Sequence, residues 1–441
     1  RQRAEEICPG RGTGAEDSSC AAGQDRRHMR TGDENSTKVL LVGLDLGTEP
    51  DFDHSMEELK SLAEAACKEV VGIITQRSGE VNKAFYIGTG KVAEARDFAV
   101  QCGAEEVVFD NTLSPSQMRN LGKELGLPVM DRTNLILDIF AIRAKSKEAK
   151  LQVEAARLQY ILPRLVGMRE NLSRQGGTGG SMSNRGAGET KLELDRRKIE
   201  HRISELKKEL EDLNQARETM RKKRTQSRIP KVALIGYTNA GKSTIMNRMV
   251  DRYGDNKEKT VLEEDMLFAT LDTSVRCIQP QGEGLEENRP FFLSDTVGFI
   301  HKLPHGLIQA FRSTLDEVRY ADLLVQVVDC SDEHYRQQME VTAETVKELG
   351  AGDIPRIVVY NKADKCGMEG LPRVREGQIH MAAASGCGLE ELVGLITDEV
   401  YQNQVETELL LPYDKGNIAS YFMENAAVLA QEYRNEGIYL K

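Results

Sequence analysis

The eight residues from Gly236 to Ser243 have the types and the spacing of a phosphate-binding loop. They read GYTNAGKS, which matches the pattern GxxxxGK[ST]. The run KVALI before them predicts a buried strand, and TIMNR after them predicts the start of a helix. In that setting backbone N–H groups and the helix N-terminus converge on phosphate oxygens. Lys242 is expected to reach the β- and γ-phosphates, and the Ser243 hydroxyl is expected to bind Mg²⁺. The residues predicted to contact phosphate are Gly236, Tyr237, Thr238, Asn239, Ala240, Gly241, Lys242 and Ser243.

An ordinary glycine-rich turn is the alternative for this loop taken alone, but two more motifs follow at the ends of later predicted strands. Ligands of open α/β sheets bind at the carboxyl ends of the strands. The first is DxxG, in which Asp295 is expected to hold Mg²⁺ through water and the Gly298 N–H to face the γ-phosphate. Its residues are Asp295, Thr296, Val297 and Gly298. Lys242, Asp295 and Gly298 are therefore the candidate catalytic residues.

The second motif, NKxD, predicts the base. A carboxylate at Asp364 accepts two hydrogen bonds from guanine, one from N1–H and one from the 2-amino group. Adenine lacks that amino donor and has an acceptor at N1, so the carboxylate would be left unpaired. An ATP-driven enzyme is therefore disfavoured, and GTP is the expected substrate. The motif consists of Asn361, Lys362, Ala363 and Asp364.

The segment FATLD, between the phosphate loop and DxxG, is expected to be switch I. Thr270 is the candidate for a second Mg²⁺ hydroxyl, with Thr273 as the alternative. This segment and the DxxG segment, which is the expected switch II, are both expected to be ordered by the γ-phosphate and Mg²⁺ and released on hydrolysis. The segment comprises Phe268, Ala269, Thr270, Leu271 and Asp272.

Composition indicates a multidomain protein without a membrane anchor. The chain has 441 residues, 39% hydrophobic and 29% charged, and no apolar run of membrane-spanning length. The eight cysteines are scattered, which favours reduced thiols and a cytoplasmic location. A net charge of −11 argues against a protein that coats nucleic acid with its whole surface, but a local basic patch remains compatible.

Alternating strand and helix patterns predict the domain organisation. The expected fold class is α/β multidomain, with a P-loop GTPase domain whose sheet is mostly parallel and has one antiparallel edge. A small α/β domain and a long antiparallel helical hairpin precede it. A plain turn is the favoured interpretation of GTGK at residues 88–91, and the tail is expected to contain a helix near 418–432. The predicted segments are a disordered leader at 1–37, an α/β domain at 38–134, the hairpin at 135–228, the GTPase domain at 229–400 and a small C-terminal element at 401–441.

The hairpin is predicted from apolar residues at alternating threes and fours. They recur over residues 135–160, with a polar slip at Ser146, and again over 192–220. A glycine-dense loop at about 173–190 separates the two helices and is expected at the tip; a flexible linker is the alternative. The basic run RKKR at 221–224 is either a solvated helix end or an RNA contact.

These motifs and their order resemble those of the HflX family of translational GTPases. The resemblance rests on GYTNAGKS, FATLD, DTVGF, NKAD and the loop GGTGGSMSNRGAGETKLELDRR, and it extends from about residue 38 to the end. It implies GTP hydrolysis, binding to the large (50S) ribosomal subunit and separation of ribosomes into subunits. Contact with rRNA would be made by the N-terminal domain and the hairpin of a monomer. A non-translational regulatory GTPase whose hairpin binds a protein is the alternative.

Two departures concern the base site and the attacking water. The fifth motif lacks its usual serine, although backbone N–H groups can still contact the guanine carbonyl; its residues are Ala382, Ala383 and Ala384. Phe299 stands where many GTPases carry a water-orienting glutamine, so slow intrinsic hydrolysis stimulated by a partner or by ions is expected. Packing of Phe299 in the core is compatible with this. Asn239 resembles the asparagine of potassium-stimulated GTPases, so K⁺ is a further candidate cofactor. His301 and His305 are expected to be solvated switch residues and not bases.

Overall fold

A computed structural model shows the arrangement of the chain. It describes residues 36–47, 51–168, 183–226, 229–254, 267–268, 274–280, 289–304, 306–307, 311–402, 407–426, 428 and 430–441. The chain divides into two compact units, Arg1–Ser36 and Thr37–Lys441, and all but one of the described residues belong to the second. The predicted leader lies almost entirely outside the described residues.

The second unit begins with a four-stranded parallel sheet in the order β2-β1-β3-β4. Residues 39–42 of β1 are buried, as expected for a parallel strand covered by helices on both faces. Helix starts follow local capping: Asp51 accepts from the His54 N–H, and Ser114 forms a capping box with Gln117. The elements are β1 (Thr37–Asp45), α1 (Phe52–Ala65), β2 (Lys68–Arg77), α2 (Thr89–Cys102), β3 (Glu106–Phe109), α3 (Pro115–Leu125), β4 (Val129–Asp131) and α4 (Arg132–Arg143).

The first predicted hairpin helix is two helices, α4 and α5 (Lys147–Met168). The polar slip at Ser146 explains the division, because its hydroxyl accepts from the Ala149 N–H at 3.0 Å and so caps α5. Residues 135–140 of α4 pack into the core of the N-terminal sheet, apart from the half-buried Asp138. Only α5 remains available to form the hairpin.

The antiparallel hairpin itself is confirmed. Helix α5 packs on α6 (Ser183–Gln226), with Leu151 and Leu206 in one apolar cluster. Arg202 donates to Glu154 at 2.8 Å. Leu151 therefore pairs with the higher-numbered Leu206 and Glu154 with the lower-numbered Arg202, which is the order of an antiparallel pair. Residues 183–190 were expected to belong to the glycine-rich loop but are helical. An existing long helix extends cheaply over weak helix formers, which is the physical reason. Residues 173–182 of that loop lie outside the described residues.

The GTPase domain contains a seven-stranded sheet in the order β10-β11-β9-β8-β5-β7-β6. The predicted antiparallel edge is confirmed, because β6 pairs antiparallel with β7. A short antiparallel strand, β10, lies at the other edge next to β11 and was not predicted. The elements are β5 (Lys231–Gly236), α7 (Lys242–Tyr253), β6 (Ser274–Ile278), β7 (Phe291–Asp295), α8 (Arg312–Arg319), β8 (Leu323–Asp329), α9 (Tyr335–Glu348), β9 (Arg356–Asn361), β10 (Arg373–Arg375), β11 (Gln378–His380) and α10 (Leu389–Tyr401).

The tail forms a small three-stranded sheet in the order β12-β14-β13 beside one helix. The expected helix at 418–432 was wrong at its end, because residues 431–434 form a strand. Pairing of this strand with β14 satisfies the backbone that a longer helix would have used. The elements are β12 (Leu409–Leu411), α11 (Gly416–Asn425), β13 (Gln431–Arg434) and β14 (Gly437–Leu440).

One apolar core joins the N-terminal sheet to the GTPase domain. It contains Leu135 and Phe140 from α4 together with Tyr237, Phe268 and Phe311. Among the described helices, none is both long enough and apolar enough to cross a membrane.

Candidate nucleotide-binding site

The phosphate loop runs from the end of β5 to the start of α7, as the sequence predicts. Two of its glycines have backbone angles that disfavour other residues, with φ of 145° at Gly236 and 97° at Gly241. A Cβ on Gly236 would lie 2.2 Å from the Val327 carbonyl oxygen. A Cβ on Gly241 would lie 2.2 Å from the Asn361 side-chain nitrogen. The close approach of β8 to Gly236 and of the Asn361 side chain to Gly241 therefore requires glycine at both positions.

Lys242 is buried at the N-terminus of α7. Its Nζ donates to the carbonyl oxygens of Gly236 at 3.1 Å and Tyr237 at 2.7 Å, so the ammonium group lies beneath the loop. Burial lowers the pKa of Lys242 to about 8, and the nearby Asp295 carboxylate only partly opposes this. A buried ammonium group at a helix N-terminus is suited to binding an anion.

Asp295 and Ser243 meet at the end of β7. The Ser243 hydroxyl donates to the Asp295 carboxylate at 2.8 Å, and Asp295 is fully buried. Thr296 is fixed separately, because its hydroxyl donates to the Leu234 carbonyl oxygen at 2.6 Å. The structure thus brings together a hydroxyl and a carboxylate, the oxygen ligands that Mg²⁺ prefers.

Gly298 and Phe299 connect the phosphate loop to the segment after β7. The Phe299 N–H donates to the Gly236 carbonyl oxygen at 3.1 Å. The Thr238 N–H donates to the Phe299 carbonyl oxygen at 2.9 Å. A Cβ on Gly298 would lie 2.8 Å from the Thr238 Cα. The Phe299 side chain is buried with Leu315, which matches the alternative that it packs in the core.

Asn361 joins three loops at the carboxyl ends of the strands. Its side chain donates to the Ala240 carbonyl oxygen and accepts from the Ala383 N–H, both at 2.9 Å. Lys362 forms an ion pair with Asp329 at 2.7 Å. The remaining NKxD residues are Ala363, which is buried, and Asp364, which is exposed.

The fifth motif lies directly behind this asparagine. Ala382 and Cys387 exchange backbone hydrogen bonds at 3.1 and 3.2 Å and close a tight loop. Ala383 is buried within it, whereas Ala384 is exposed and its carbonyl oxygen accepts from Arg248 at 2.8 Å. The structure therefore places the phosphate loop, DxxG, NKxD and the fifth motif at the carboxyl ends of parallel strands in one sheet.

Switch I is described only at its first residue, Phe268. Phe268 is buried, and its ring meets that of Phe140 edge-on at 4.8 Å. The Phe311 ring also meets that of Phe140 edge-on, at 4.8 Å. The residues Ala269, Thr270, Leu271, Asp272 and Thr273 lie outside the described residues, as does His305.

A buried polar network between the N-terminal domain and the phosphate loop was missed by the sequence analysis. The Tyr237 hydroxyl donates to Glu58 and accepts from the His301 N–H at 2.7 Å. Arg132 donates to Glu58 and, at 2.8 Å, to Asp110. Burial and the Glu58 charge raise the pKa of Tyr237 well above its ordinary value, so the hydroxyl remains a donor.

Lys302, which follows His301, extends this network to a second cation. Its Nζ contacts the Asp110 carboxylate at 2.6 Å and the Ser55 hydroxyl at 3.0 Å. Burial by itself would raise the pKa of Asp110, but Arg132 and Lys302 outweigh it and hold the pKa below its ordinary value. The signal available in the sequence was helical spacing, which puts Glu58 on the same face of α1 as the buried Leu62. The His301 side chain is exposed.

Comparison with known proteins gives matches over most of the chain. Three family models match: "GTP-binding GTPase N-terminal" at residues 53–141, "GTP-binding GTPase Middle Region" at 143–224 and "50S ribosome-binding GTPase" at 231–362. The GTPase HflX of Caldanaerobacter subterraneus subsp. tengcongensis is 43% identical over 407 residues, 92% of this chain and 90% of that protein. The GTPase HflX of Escherichia coli is 36% identical over 407 residues, 91% of each chain.

Among solved structures, a GTP-binding protein from the archaeon Sulfolobus solfataricus in complex with GDP aligns at 24% identity. The TM-score is 0.42, and the alignment covers 83% of this chain and 100% of that one.

The fold and the site define a P-loop GTPase, a class that binds and hydrolyses GTP. Both relatives match this chain over about nine tenths of its length and of their own. The chain belongs to the HflX family of GTPases.

Proposed function

We propose that this GTPase reads guanine through Asp364 and binds the phosphates along residues 236–243. The observation that supports the assignment is the double hydrogen bond of Asn361, which lies three residues before Asp364 in the sequence and ties the phosphate loop to the fifth motif. Because the Ala383 N–H donates to Asn361, we assign the contact with the guanine carbonyl to the N–H of Ala384.

Exchange of the base preference tests this assignment. Asp364→Asn replaces one acceptor of guanine by an amide donor, which complements the 2-carbonyl of xanthine. We expect preference to change from GTP to xanthosine triphosphate, with GTP affinity reduced by about tenfold or more. Asp353→Asn, at another exposed aspartate, is the control and should bind GTP as the wild type does. Unchanged tight binding of GTP by Asp364→Asn would place the base elsewhere.

Mg²⁺ fits the oxygen ligands at the end of β7. Ser243 would bind it directly and Asp295 through water, and Thr270 would supply a second hydroxyl. The ion supplies neutralisation of phosphate charge when bound. Lys242 and the Gly298 N–H would then hold the γ-phosphate in place. Ser243→Ala should raise the Mg²⁺ concentration needed for half-maximal hydrolysis; an unchanged requirement would contradict the ligand assignment.

The buried Phe299 cannot orient the attacking water, so we propose that hydrolysis is slow until a partner binds. K⁺ at Asn239 is a further proposed source of stimulation. Phosphate release should be faster in KCl than in NaCl at equal ionic strength, and Asn239→Ala should remove the difference. Equal rates in both salts for the wild type would eliminate K⁺ as a cofactor.

We propose that the partner is the large ribosomal subunit, which the N-terminal domain and the hairpin of a monomer would contact through rRNA. The support is the match of residues 231–362 to a family described as 50S ribosome-binding. The length of α6 adds to it, since 44 helical residues make a helix about 66 Å long. The basic run RKKR at 221–224, near the C-terminal end of α6, would bind rRNA phosphates in a salt-dependent way.

Co-sedimentation with purified 50S subunits tests this proposal. Wild-type protein with a non-hydrolysable GTP analogue should pellet with the subunit at moderate salt, and replacement of residues 174–188 by a short linker should reduce subunit splitting. Changing the basic run at 221–224 to glutamine should lessen the salt dependence of binding. Failure of the wild type to pellet would refute ribosome binding, and full splitting by the loop variant would refute a role for the tip.

A further inference from the structure

Two cysteines lie side by side next to the segment that we assign to the base. Cys330 follows the end of β8, and Cys366 lies two residues after Asp364. Their sulfur atoms are 3.5 Å apart, and the Cys366 thiol lies 3.1 Å from the Cys330 carbonyl oxygen. A disulfide bond measures about 2.05 Å, so an approach of about 1.5 Å would join them.

The two thiols differ in access and in acidity. Cys366 is exposed, whereas Cys330 is partly buried. Burial, the hydrogen bond with Cys366 and the nearby Asp329 raise the pKa of the Cys330 thiol to about 12. Cys330 therefore remains protonated near neutral pH, and the accessible Cys366 is the thiol that an oxidant meets first.

Both thiols contact backbone carbonyl oxygens of the NKxD segment, that of Cys330 at Asn361 and that of Cys366 at Lys362. The Cys330 N–H and its thiol both contact the Asn361 carbonyl oxygen, at 3.1 and 3.0 Å. The residue before Cys330, Asp329, forms the ion pair with Lys362 at 2.7 Å. A change in the position of either sulfur is therefore transmitted directly to the residues that surround Asp364.

We propose that Cys330 and Cys366 form a reversible disulfide that weakens guanine-nucleotide binding; this rests on the assignment of the base site to Asp364. Contraction by about 1.5 Å draws the turn containing Asp364 toward β8, and hydrogen bonds to guanine tolerate only a few tenths of an ångström. The Cys330 thiol also ceases to donate to the Asn361 carbonyl oxygen. We expect affinity to fall about tenfold, as for loss of one good hydrogen bond to a charged group.

The oxidant is a hydroperoxide. The Cys366 thiolate attacks the outer peroxide oxygen, the O–O bond breaks, and an alcohol (or water, from hydrogen peroxide) leaves with a proton from solvent. The Cys330 thiol then attacks the resulting sulfenic sulfur and gives up its proton, and water leaves. Two thiols and one hydroperoxide thus yield one disulfide, one alcohol and one water. A dithiol reverses the reaction by exchange.

The test uses the full chain, reduced or treated with hydrogen peroxide and then desalted. Peptide mapping should find Cys330 linked to Cys366, and titration with a fluorescent GDP analogue should show about tenfold weaker binding that dithiothreitol restores. Cys366→Ala should bind like the reduced wild type and not respond to peroxide. Cys67→Ala, which removes an exposed cysteine far from this segment in the sequence, should respond as the wild type does.

Absence of the linked peptide would overturn the pairing. A linked peptide with affinity within about twofold of the reduced protein would overturn the effect on binding. Failure of the base assignment has a different signature, because it appears in the reduced protein as unchanged GTP preference of Asp364→Asn.

Discussion

Arg132 should be one of the most sensitive single positions for stability in the N-terminal domain. Its guanidinium group is buried and contacts two buried carboxylates, those of Glu58 and Asp110. It also donates to the His301 carbonyl oxygen at 3.3 Å and so reaches the segment after Phe299. Arg132→Met keeps much of the apolar volume but removes the positive charge from both carboxylates.

The expected loss follows from what remains around those carboxylates. Removing one partner of a buried ion pair costs about 3 to 5 kcal/mol, because the other charge stays buried without compensation. Lys302 still contacts Asp110 at 2.6 Å, and Tyr237 still donates to Glu58. We therefore expect the lower end of the range, about 3 kcal/mol.

Hydrogen exchange of the β1 amides measures this loss directly, because β1 lies at the centre of the N-terminal sheet. The opening free energy of peptides that cover β1 should fall by about 3 kcal/mol in Arg132→Met. Arg196→Met is the matched control, since Arg196 is exposed and pairs with Glu200 one helical turn away. The control should show no measurable loss, because a solvent-exposed ion pair adds little to stability. Equal losses in the two variants would refute the reasoning.

The pH dependence supplies a second check on the same variant. In the wild type the depressed pKa of Asp110 stabilises the fold above the unfolded-state pKa, and this contribution is lost as pH falls through the folded-state pKa. In Arg132→Met the Asp110 carboxylate loses one of its two cations, so it takes up a proton more readily. The difference between variant and wild type should therefore be largest near pH 7 and shrink toward pH about 4. A difference that grows on acidification would contradict the network.

Three further predictions concern the nucleotide site and its contact with α4. Because the pKa of Lys242 is lowered to about 8, binding of GDP should take up a proton at pH about 8.5 but not at pH about 6.5. Calorimetry in buffers of different ionisation enthalpy measures the number of protons taken up. An equal number at both pH values would contradict the prediction. Gly298→Ala should slow phosphate release by at least about tenfold, because the added Cβ has no room beside Thr238. Gly306→Ala is the control and should behave as wild type, because a Cβ there meets nothing within 4 Å. Equal rates in the two variants would refute the steric argument. Phe140→Ala should destabilise the fold by about 3 to 5 kcal/mol and increase proteolysis near Phe268, because it removes the ring contact between them. Unchanged protease resistance would show that this contact does not stabilise the chain at Phe268.

The contiguous motifs were predictable because their chemistry depends on local spacing. A glycine-rich turn between a strand and a helix forms a phosphate loop wherever the sheet places it, and Asp364 indicates guanine by the donors that it can accept. Helix limits were predictable where a capping residue is adjacent in sequence, as at Ser114. The division between α4 and α5 was missed because Ser146 appeared only as a slip in the period, although its hydroxyl caps the next helix.

By itself, the sequence determined that this chain has a P-loop GTPase domain, a base-reading motif and a helical hairpin, because period and spacing are properties of neighbouring residues. The tertiary structure decided which distant residues meet. Tyr237 of the phosphate loop lies against Glu58, and Cys366 lies against Cys330. No local pattern specifies these pairs, because they depend on strand order and on the packing of α1 and α4 against the switch segments. The control of the site by the rest of the protein is therefore a property of the fold, whereas its basic chemistry is already present in the motifs.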